Sequence, residues 1–182
     1  MLTTTILFPG QGSQYVGMGK ALYERSSEAR KVFEEAEDVL KINLRKLCFE
    51  GDLEELTKTE NAQPAILTCS VAAFNEYMHM YGMEPSYCAG HSLGEYSALT
   101  CAGVLKFSDA VSLVRQRGKY MQEAAAAGSG AMAAVSGIKS DELEEMCREY
   151  SGNGETVVIS NYNSPDQIVI SGHKNTVEIL KD

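Results

Sequence analysis

The chain has little of what membrane insertion, metal binding or nucleic-acid binding would require. No apolar stretch among its 182 residues approaches the roughly 20 that a membrane-spanning helix needs. The start, Met1-Leu2-Thr3-Thr4-Thr5-Ile6-Leu7-Phe8, has no basic segment, and its apolar part ends at Pro9-Gly10; it reads as a first β-strand and not as a secretory signal. Histidine is scarce: His79, His91 and His173 lack metal-ligand spacing and a clustered cysteine or carboxylate set, so no metal site is expected. The five cysteines (Cys48, Cys69, Cys88, Cys101, Cys147) contain no C-x-x-C, are odd in number and lie far apart. That usage points to reduced thiols and a cytoplasmic setting. Positive charge is also short, since 16 Lys and Arg stand against 25 Asp and Glu for a net −9. Nonspecific binding to nucleic acid or to an anionic membrane is thereby disfavoured, and an acidic partner would need a local basic patch.

What remains is an ordinary globular composition, 44% hydrophobic and 23% charged, enough for one respectable core. A strand over 4–8 runs into the Gly-rich loop Pro9-Gly10-Gln11-Gly12-Ser13-Gln14. Apolar residues Val32, Phe33, Ala36, Val39 and Leu40 then recur at helical spacing. Gly51-Asp52 opens a short helix carrying Leu53 and Leu56. Pro64 stands where a first-turn proline would, ahead of a mostly apolar helix over 65–81 that Gly82 stops. A strand at 87–89 and a helix to Ala102 follow, then a further helix from Asp109 to about Ala127 with Ser108 as its N-cap. The texture changes at Gly128-Ser129-Gly130. Beyond it come a strand over 131–135, a helix over 141–150 with Leu143, Met146 and Cys147 inward, two strands over 156–160 and 167–171 around Asn163-Ser164-Pro165-Asp166, and a helix from Asn175. The order β-α-β-β-α is that of a ferredoxin-like unit lacking its last strand. Because the chain stops at Asp182, inside that helix, it is expected to be a piece of something longer or half of a split protein.

At the junction of the second strand and its helix stands Gly90-His91-Ser92-Leu93-Gly94, a G-x-S-x-G pentapeptide. On a strand-to-helix turn the glycines permit a sharp backbone reversal, and the Ser92 hydroxyl projects at the helix N-terminus with the Leu93 amide facing any oxyanion formed there. A purely structural Gly-rich turn has the same pattern. On the helix from Asp109, the stripe Ala110, Leu113, Val114 and Met121 includes Arg117 but not Arg115. A guanidinium on a core-facing stripe needs an acceptor, because arginine does not escape burial by losing its proton. Either an internal Asp or Glu meets it, or the side chain snorkels to water, or the partner is a substrate carboxylate gripped in bidentate fashion. Gln11 lies in the loop after the first strand, where such enzymes place a second oxyanion donor, although a Gly-Gln-Gly loop is also an ordinary turn. That loop lacks the third glycine of G-x-G-x-x-G and a following G-K-[ST], which excludes a nucleotide-phosphate cradle.

Together, Phe8-Pro9-Gly10-Gln11-Gly12-Ser13-Gln14, Gln63-Pro64-Ala65, Gly90-His91-Ser92-Leu93-Gly94-Glu95-Tyr96-Ser97-Ala98-Leu99, Arg117-Gly118 and Asn161-Tyr162-Asn163-Ser164-Pro165 resemble the malonyl-CoA:acyl carrier protein transacylases of bacterial fatty-acid synthesis, from end to end and in order. The resemblance implies an α/β fold in which an α/β-hydrolase-like parallel-sheet subdomain (1–127) holds an inserted ferredoxin-like small subdomain (128–182), both incomplete here. It implies a ping-pong transfer in which Ser92 takes malonyl from malonyl-CoA and yields it to the phosphopantetheine thiol of acyl carrier protein, with no cofactor. Backbone amides of Gln11 and Leu93 would form the oxyanion hole, and Arg117 would pair with the malonyl carboxylate. Gln63, His91 and Asn161 would stand behind them. Leu93, where methylmalonyl-selective relatives often carry Gln, leans toward malonyl. One departure matters: the family's general-base histidine lies beyond the small subdomain, past Asp182. His79, His91 and His173 are read as structural, so the chain alone should catalyse poorly and would need a complementary C-terminal segment or chain. A serine esterase or lipase with the same elbow, or a noncatalytic fragment that binds a carrier, are the competing readings; the first gives no reason for Arg117.

Overall fold

The computed structural model describes residues 3–126, 128–152 and 154–180. They form two compact units divided after Gln122. In the first, β1 (Thr5–Phe8) pairs in parallel with β2 (Tyr87–Gly90), Phe8 standing opposite Gly90. The crossover between them is helical: α1 (Lys20–Arg25), α2 (Ser27–Leu40), α3 (Leu44–Glu50), α4 (Leu53–Thr57) and α5 (Thr59–Tyr81). After β2 come α6 (Leu93–Cys101) and α7 (Phe107–Ala126), the latter running across the division.

Local chemistry sets most of these boundaries. The Ser26 hydroxyl accepts from the Ala29 amide at 3.1 Å and starts α2, which is why the single helical region expected before Leu40 is broken into α1 and α2. Ala29, Val32, Phe33 and Ala36 then form the buried face, while Val39 and Leu40 are half-buried. Asn43 caps α3, a helix the sequence reading does not contain, and Asp52 caps α4 through the amides of Glu54 and Glu55. The expected first-turn place of Pro64 is corrected: α5 begins at Thr59, so the proline sits inside the helix. A ring there removes one intrahelical N–H donor. The helix is held instead by burial, since every residue from Ala62 to Thr68 is buried. Gly82 ends it in the left-handed conformation, φ +60°. α6 begins at Leu93, directly after Ser92, and one further start moves: α7 begins at Phe107, so Ser108 is not its cap. Ala127 lies outside the described residues.

The core of this unit packs Phe33, Leu44, Leu56, Leu67, Leu93, Val111 and Val114 around α5. All five cysteines of the chain are free. Burial, with Cys88 nearby, pushes the Cys101 thiol up to about 12, and the neighbouring Cys48 together with burial raises Cys69. Both stay protonated and unreactive at neutral pH.

The second unit is a three-stranded antiparallel sheet in the order β3-β5-β4, built from β3 (Gly130–Ser136), β4 (Val157–Ser164) and β5 (Gln167–His173), with α8 (Ser140–Tyr150) and α9 (Lys174–Leu180) packed on it. The element order β-α-β-β-α is the expected one. Both hairpin strands run longer than expected, and the turn narrows to Pro165-Asp166, because Ser164 still pairs with Gln167. His173 closes β5 and does not open the last helix. Leu143, Cys147, Val157, Ile168, Ile170, Val177 and Leu180 form the core; Met146 is only partly buried against it. Among the described residues the architecture is α/β, with one parallel and one antiparallel sheet. No described helix is long and apolar enough to cross a membrane.

Candidate active site

Ser92 joins β2 to α6 with φ +52° and ψ −107°, a conformation side-chain-bearing residues rarely hold and one that costs about 1–3 kcal/mol. The neighbouring glycines show what keeps it there. A Cβ on Gly90 would lie 2.0 Å from the carbonyl carbon and oxygen of Gly94, and one on Gly94 would lie 2.2 Å from the Phe8 carbonyl oxygen. Strand end, turn and helix start therefore touch backbone to backbone, which only glycine allows. Hydrogen bonds from the Gly94 amide to the His91 carbonyl (2.8 Å) and from the Glu95 amide to the Ser92 carbonyl (3.2 Å) close the turn. Leu93 is fully buried and is the first residue of α6, so its N–H has no carbonyl to bond within the helix.

Arg117 reaches this serine from α7. Its Nη2 donates to Ser92 Oγ at 3.0 Å and its Nη1 to Gln63 Oε1 at 2.7 Å, while its Cζ lies 5.6 Å from the centroid of the Tyr96 ring. Gln63 is fully buried, and its Nε2 donates to Met121 Sδ at 3.2 Å. None of the five ion pairs among the described residues involves Arg117. The guanidinium is thus held by a neutral amide and a hydroxyl, with its charge uncompensated by any described acid.

The expected stripe on α7 needs correction. Leu113 and Met121 are 48% and 41% exposed, and the buried face is Ala110, Val111, Val114 and Gly118. A glycine carries no hydrophobic signal, yet Gly118 is where the helices meet: a Cβ there would lie 2.6 Å from the Thr59 carbonyl oxygen on α5. That contact turns α7 so that Arg117 flanks the buried face, half-buried. Arg115 is half-buried as well, and donates through Nη1 to the Leu40 carbonyl at 3.0 Å.

Gln11 sits in the loop after β1, where its side-chain Nε2 donates to Thr59 Oγ1 at 3.2 Å. The loop is tied internally by Ser13 Oγ to the Gly10 carbonyl and by the Gly12 amide to Gln14 Oε1. Against Gly10 lies His91: a Cβ on Gly10 would come within 2.8 Å of the His91 carbonyl oxygen and 3.2 Å of its Nδ1. The structure thus brings Ser92, Arg117 and Gln63 into direct contact, and sets Gln11 against the start of α5, the same turn that receives Gly118. His79 stands on α5. Asn161, on β4 of the second unit, is half-buried beside a register irregularity that follows Ile159. A cavity of about 760 Å³ in the first unit takes in neither Ser92 nor Arg117. Sequence reading missed the Tyr96 ring beside the guanidinium and the Met121 sulfur beside Gln63. Tyr96 carried a signal, since it stands in the first turn of the helix that Ser92 precedes; Met121 was read on the same stripe as Arg117, but nothing in that pattern aimed its sulfur at Gln63.

Compared with known families, residues 5–181 match the acyl transferase domain. The chain belongs to this family. Among the relatives of this acyl transferase domain, the malonyl CoA-acyl carrier protein transacylase of Bacillus subtilis is 51% identical over 180 residues, covering 99% of this chain and 45% of the relative. The crystal structure of an acyl carrier protein S-malonyltransferase from Vibrio cholerae superposes with a TM-score of 0.88 at 45% identity, over 97% of this chain and 57% of that one. A malonyl-transacylase in complex with its type II PKS acyl-carrier protein gives a TM-score of 0.85 at 45% identity, over 97% of this chain and 57% of that one. The acyl transferase domain described here spans about half the length of the relatives it matches.

Proposed function

We propose that the protein containing this chain transfers a malonyl group from malonyl-CoA to the phosphopantetheine thiol of acyl carrier protein, for fatty-acid synthesis, through an ester on Ser92. The observation that carries the proposal is the Arg117 guanidinium, unneutralised by any described acid and 3.0 Å from Ser92 Oγ. A carboxylate joined through one methylene to a thioester carbonyl would meet that cation while its carbonyl carbon faced the hydroxyl. Ser92 Oγ forms the ester bond as the carbon–sulfur bond to CoA breaks, and the serine proton leaves with the CoA thiol. The carrier's thiol then attacks the ester, forms the new thioester and returns a proton to Ser92. Amides of Leu93 and Gln11 serve the oxyanion in both halves, at about 3 kcal/mol for each donor. The proton-accepting histidine is assigned, on the family resemblance, to the half that the relatives have beyond the matched part. The strained elbow supports an α/β-hydrolase-like reading of residues 1–127, and the element order supports a ferredoxin-like reading of 128–182, with Asn161 and His91 in supporting roles. No metal or cofactor enters the reaction, and a cytoplasmic setting suits the free thiols.

Arg117→Ala in the full-length enzyme is expected to lower malonyl transfer about 100-fold or more while leaving acetyl transfer equal or better. Steady-state rates with malonyl-CoA and acetyl-CoA check this, and an equal loss for both would refute the carboxylate role. Ser92→Ala is expected to abolish the malonyl adduct in intact-mass spectra without changing the far-UV CD spectrum; an adduct that persists would remove Ser92 as the nucleophile. An esterase would instead turn over a simple aryl ester and leave the carrier unmalonylated.

A further inference from the structure

We propose that Gln63 is a positioning residue that aims the Arg117 guanidinium while leaving its charge available, and so sets the preference for a carboxylated acyl group. This inference rests on the reading of Arg117 as the carboxylate's partner. The Gln63 side chain is fully buried, and both ends of its amide are engaged: Oε1 accepts from Arg117 Nη1 at 2.7 Å, and Nε2 donates to Met121 Sδ at 3.2 Å. Only one orientation of the amide satisfies these neighbours. An arginine has no lone pair to accept with, and a thioether has no proton to give. Flipping the amide would set donor against donor and acceptor against acceptor.

The crossing that brings the two residues together is equally constrained. Gly118, next to Arg117, admits the Thr59–Glu60 backbone of α5 at distances no side chain tolerates, and Gln63 lies one turn further along that helix. With Nη1 held by Gln63 and the Tyr96 ring centroid 5.6 Å from Cζ, the guanidinium is held between two neighbours. Nη2 is left directed at the serine oxygen.

The residue type follows from electrostatics. A hydrocarbon at 63 would leave a guanidinium N–H without an acceptor in a half-buried site, a cost that loosens the side chain. A glutamate of nearly the same shape would satisfy the N–H but add a negative charge in contact with the cation. An incoming carboxylate would then meet a neutral pair in place of a free positive charge. Glutamine orients without neutralising.

The test uses the full-length enzyme with Gln63→Glu, Gln63→Met and Arg117→Ala, comparing kcat/KM for malonyl-CoA and acetyl-CoA. Gln63→Glu is expected to lower the malonyl-to-acetyl ratio at least about tenfold, and Gln63→Met to raise the malonyl KM with a smaller change for acetyl. A residue that merely supports the fold would lower both substrates in parallel. A ratio within twofold of wild type in Gln63→Glu, while Arg117→Ala shifts it, overturns the role of Gln63 alone. An unshifted ratio in Arg117→Ala overturns the carboxylate reading, and this inference with it. Should Gln63→Glu not fold, Gln63→Met decides: a parallel loss for both acyl groups overturns the proposal, and a loss selective for malonyl upholds it.

Discussion

Gly94 shows how a single hydrogen atom in place of a methyl can hold a site together. The Phe8 carbonyl lies where its Cβ would be, at 2.2 Å, and the obstacle is backbone at the end of a strand, with no flexible end to swing aside. Gly94→Ala must therefore move α6 away from β1 and carry Ser92 with it. Displacing a reacting group by about 1 Å can cost on the order of 100-fold in rate. The variant is expected to lose at least that much malonyl transfer in the full-length enzyme, measured as initial rate, while retaining its helical CD signal. Gly90, with 2.0 Å to the Gly94 carbonyl group, is constrained in the same way. The two glycines of the pentapeptide were legible as a turn signal; that they press on each other and on Phe8 was not, because the second contact joins residues 86 positions apart through the pairing of β1 with β2.

Among the elements, the α5–α7 crossing decides most about the site. Gly118 meets Thr59 O at 2.6 Å and Glu60 Cα at 2.7 Å, so a larger residue there forces the helices apart just where Gln63 and Arg117 exchange a hydrogen bond. Gly118→Val is expected to destabilise the protein by about 1–3 kcal/mol through overpacking, read from a urea midpoint. It should also lower malonyl transfer more than acetyl transfer, because the guanidinium is displaced. Equal rates and an unchanged midpoint would mean that the crossing does not govern the site. This element-level feature escaped the pattern reading of α7, which took Leu113 and Met121 as inward because they are apolar. Hydrophobic periodicity locates the face with the most apolar surface, whereas two helices approach closest where side chains are smallest.

For the molecule as a whole, charge and pH give a separate check on the second unit. Glu155 accepts from Thr176 Oγ1 at 2.6 Å and from Asn175 Nδ2 at 3.3 Å, both in the first turn of α9. These hydrogen bonds, that to Thr176 foremost, hold its carboxyl below the usual value of 4.5. A carboxylate whose pKa is depressed by folding contributes stability above its unfolded pKa and loses it as pH falls through the folded one. Glu155→Gln should therefore lower the thermal midpoint of the protein at pH 7, and the gap to wild type should close as pH drops below about 4. A gap of constant size between pH 7 and pH 3 would show that the charge of Glu155 is not what matters. The excess of acid over base, −9 overall, also bears on partners: any acidic one must find a local cationic patch, and Arg117, half-buried and hydrogen-bonded to Gln63 and Ser92, is not one.

By itself the sequence determined the features that are local in the chain: the turn-forming glycines about Ser92, the helix opening at Asp52, the alternation of strands and helices, and an arginine too near a buried face to be ordinary. Such features depend on neighbours one to four residues away, where the geometry of helix and strand is known in advance. Only the tertiary structure decided which groups meet at the site. Gln63 and Arg117 lie 54 positions apart, and their contact exists because a glycine lets two helices close to backbone contact. No periodicity encodes that distance. It also settled that the acceptor on Arg117 within the described residues is a neutral amide and not an acid, a difference that one-dimensional patterns cannot carry, since it depends on which side chains the packing leaves facing the cation.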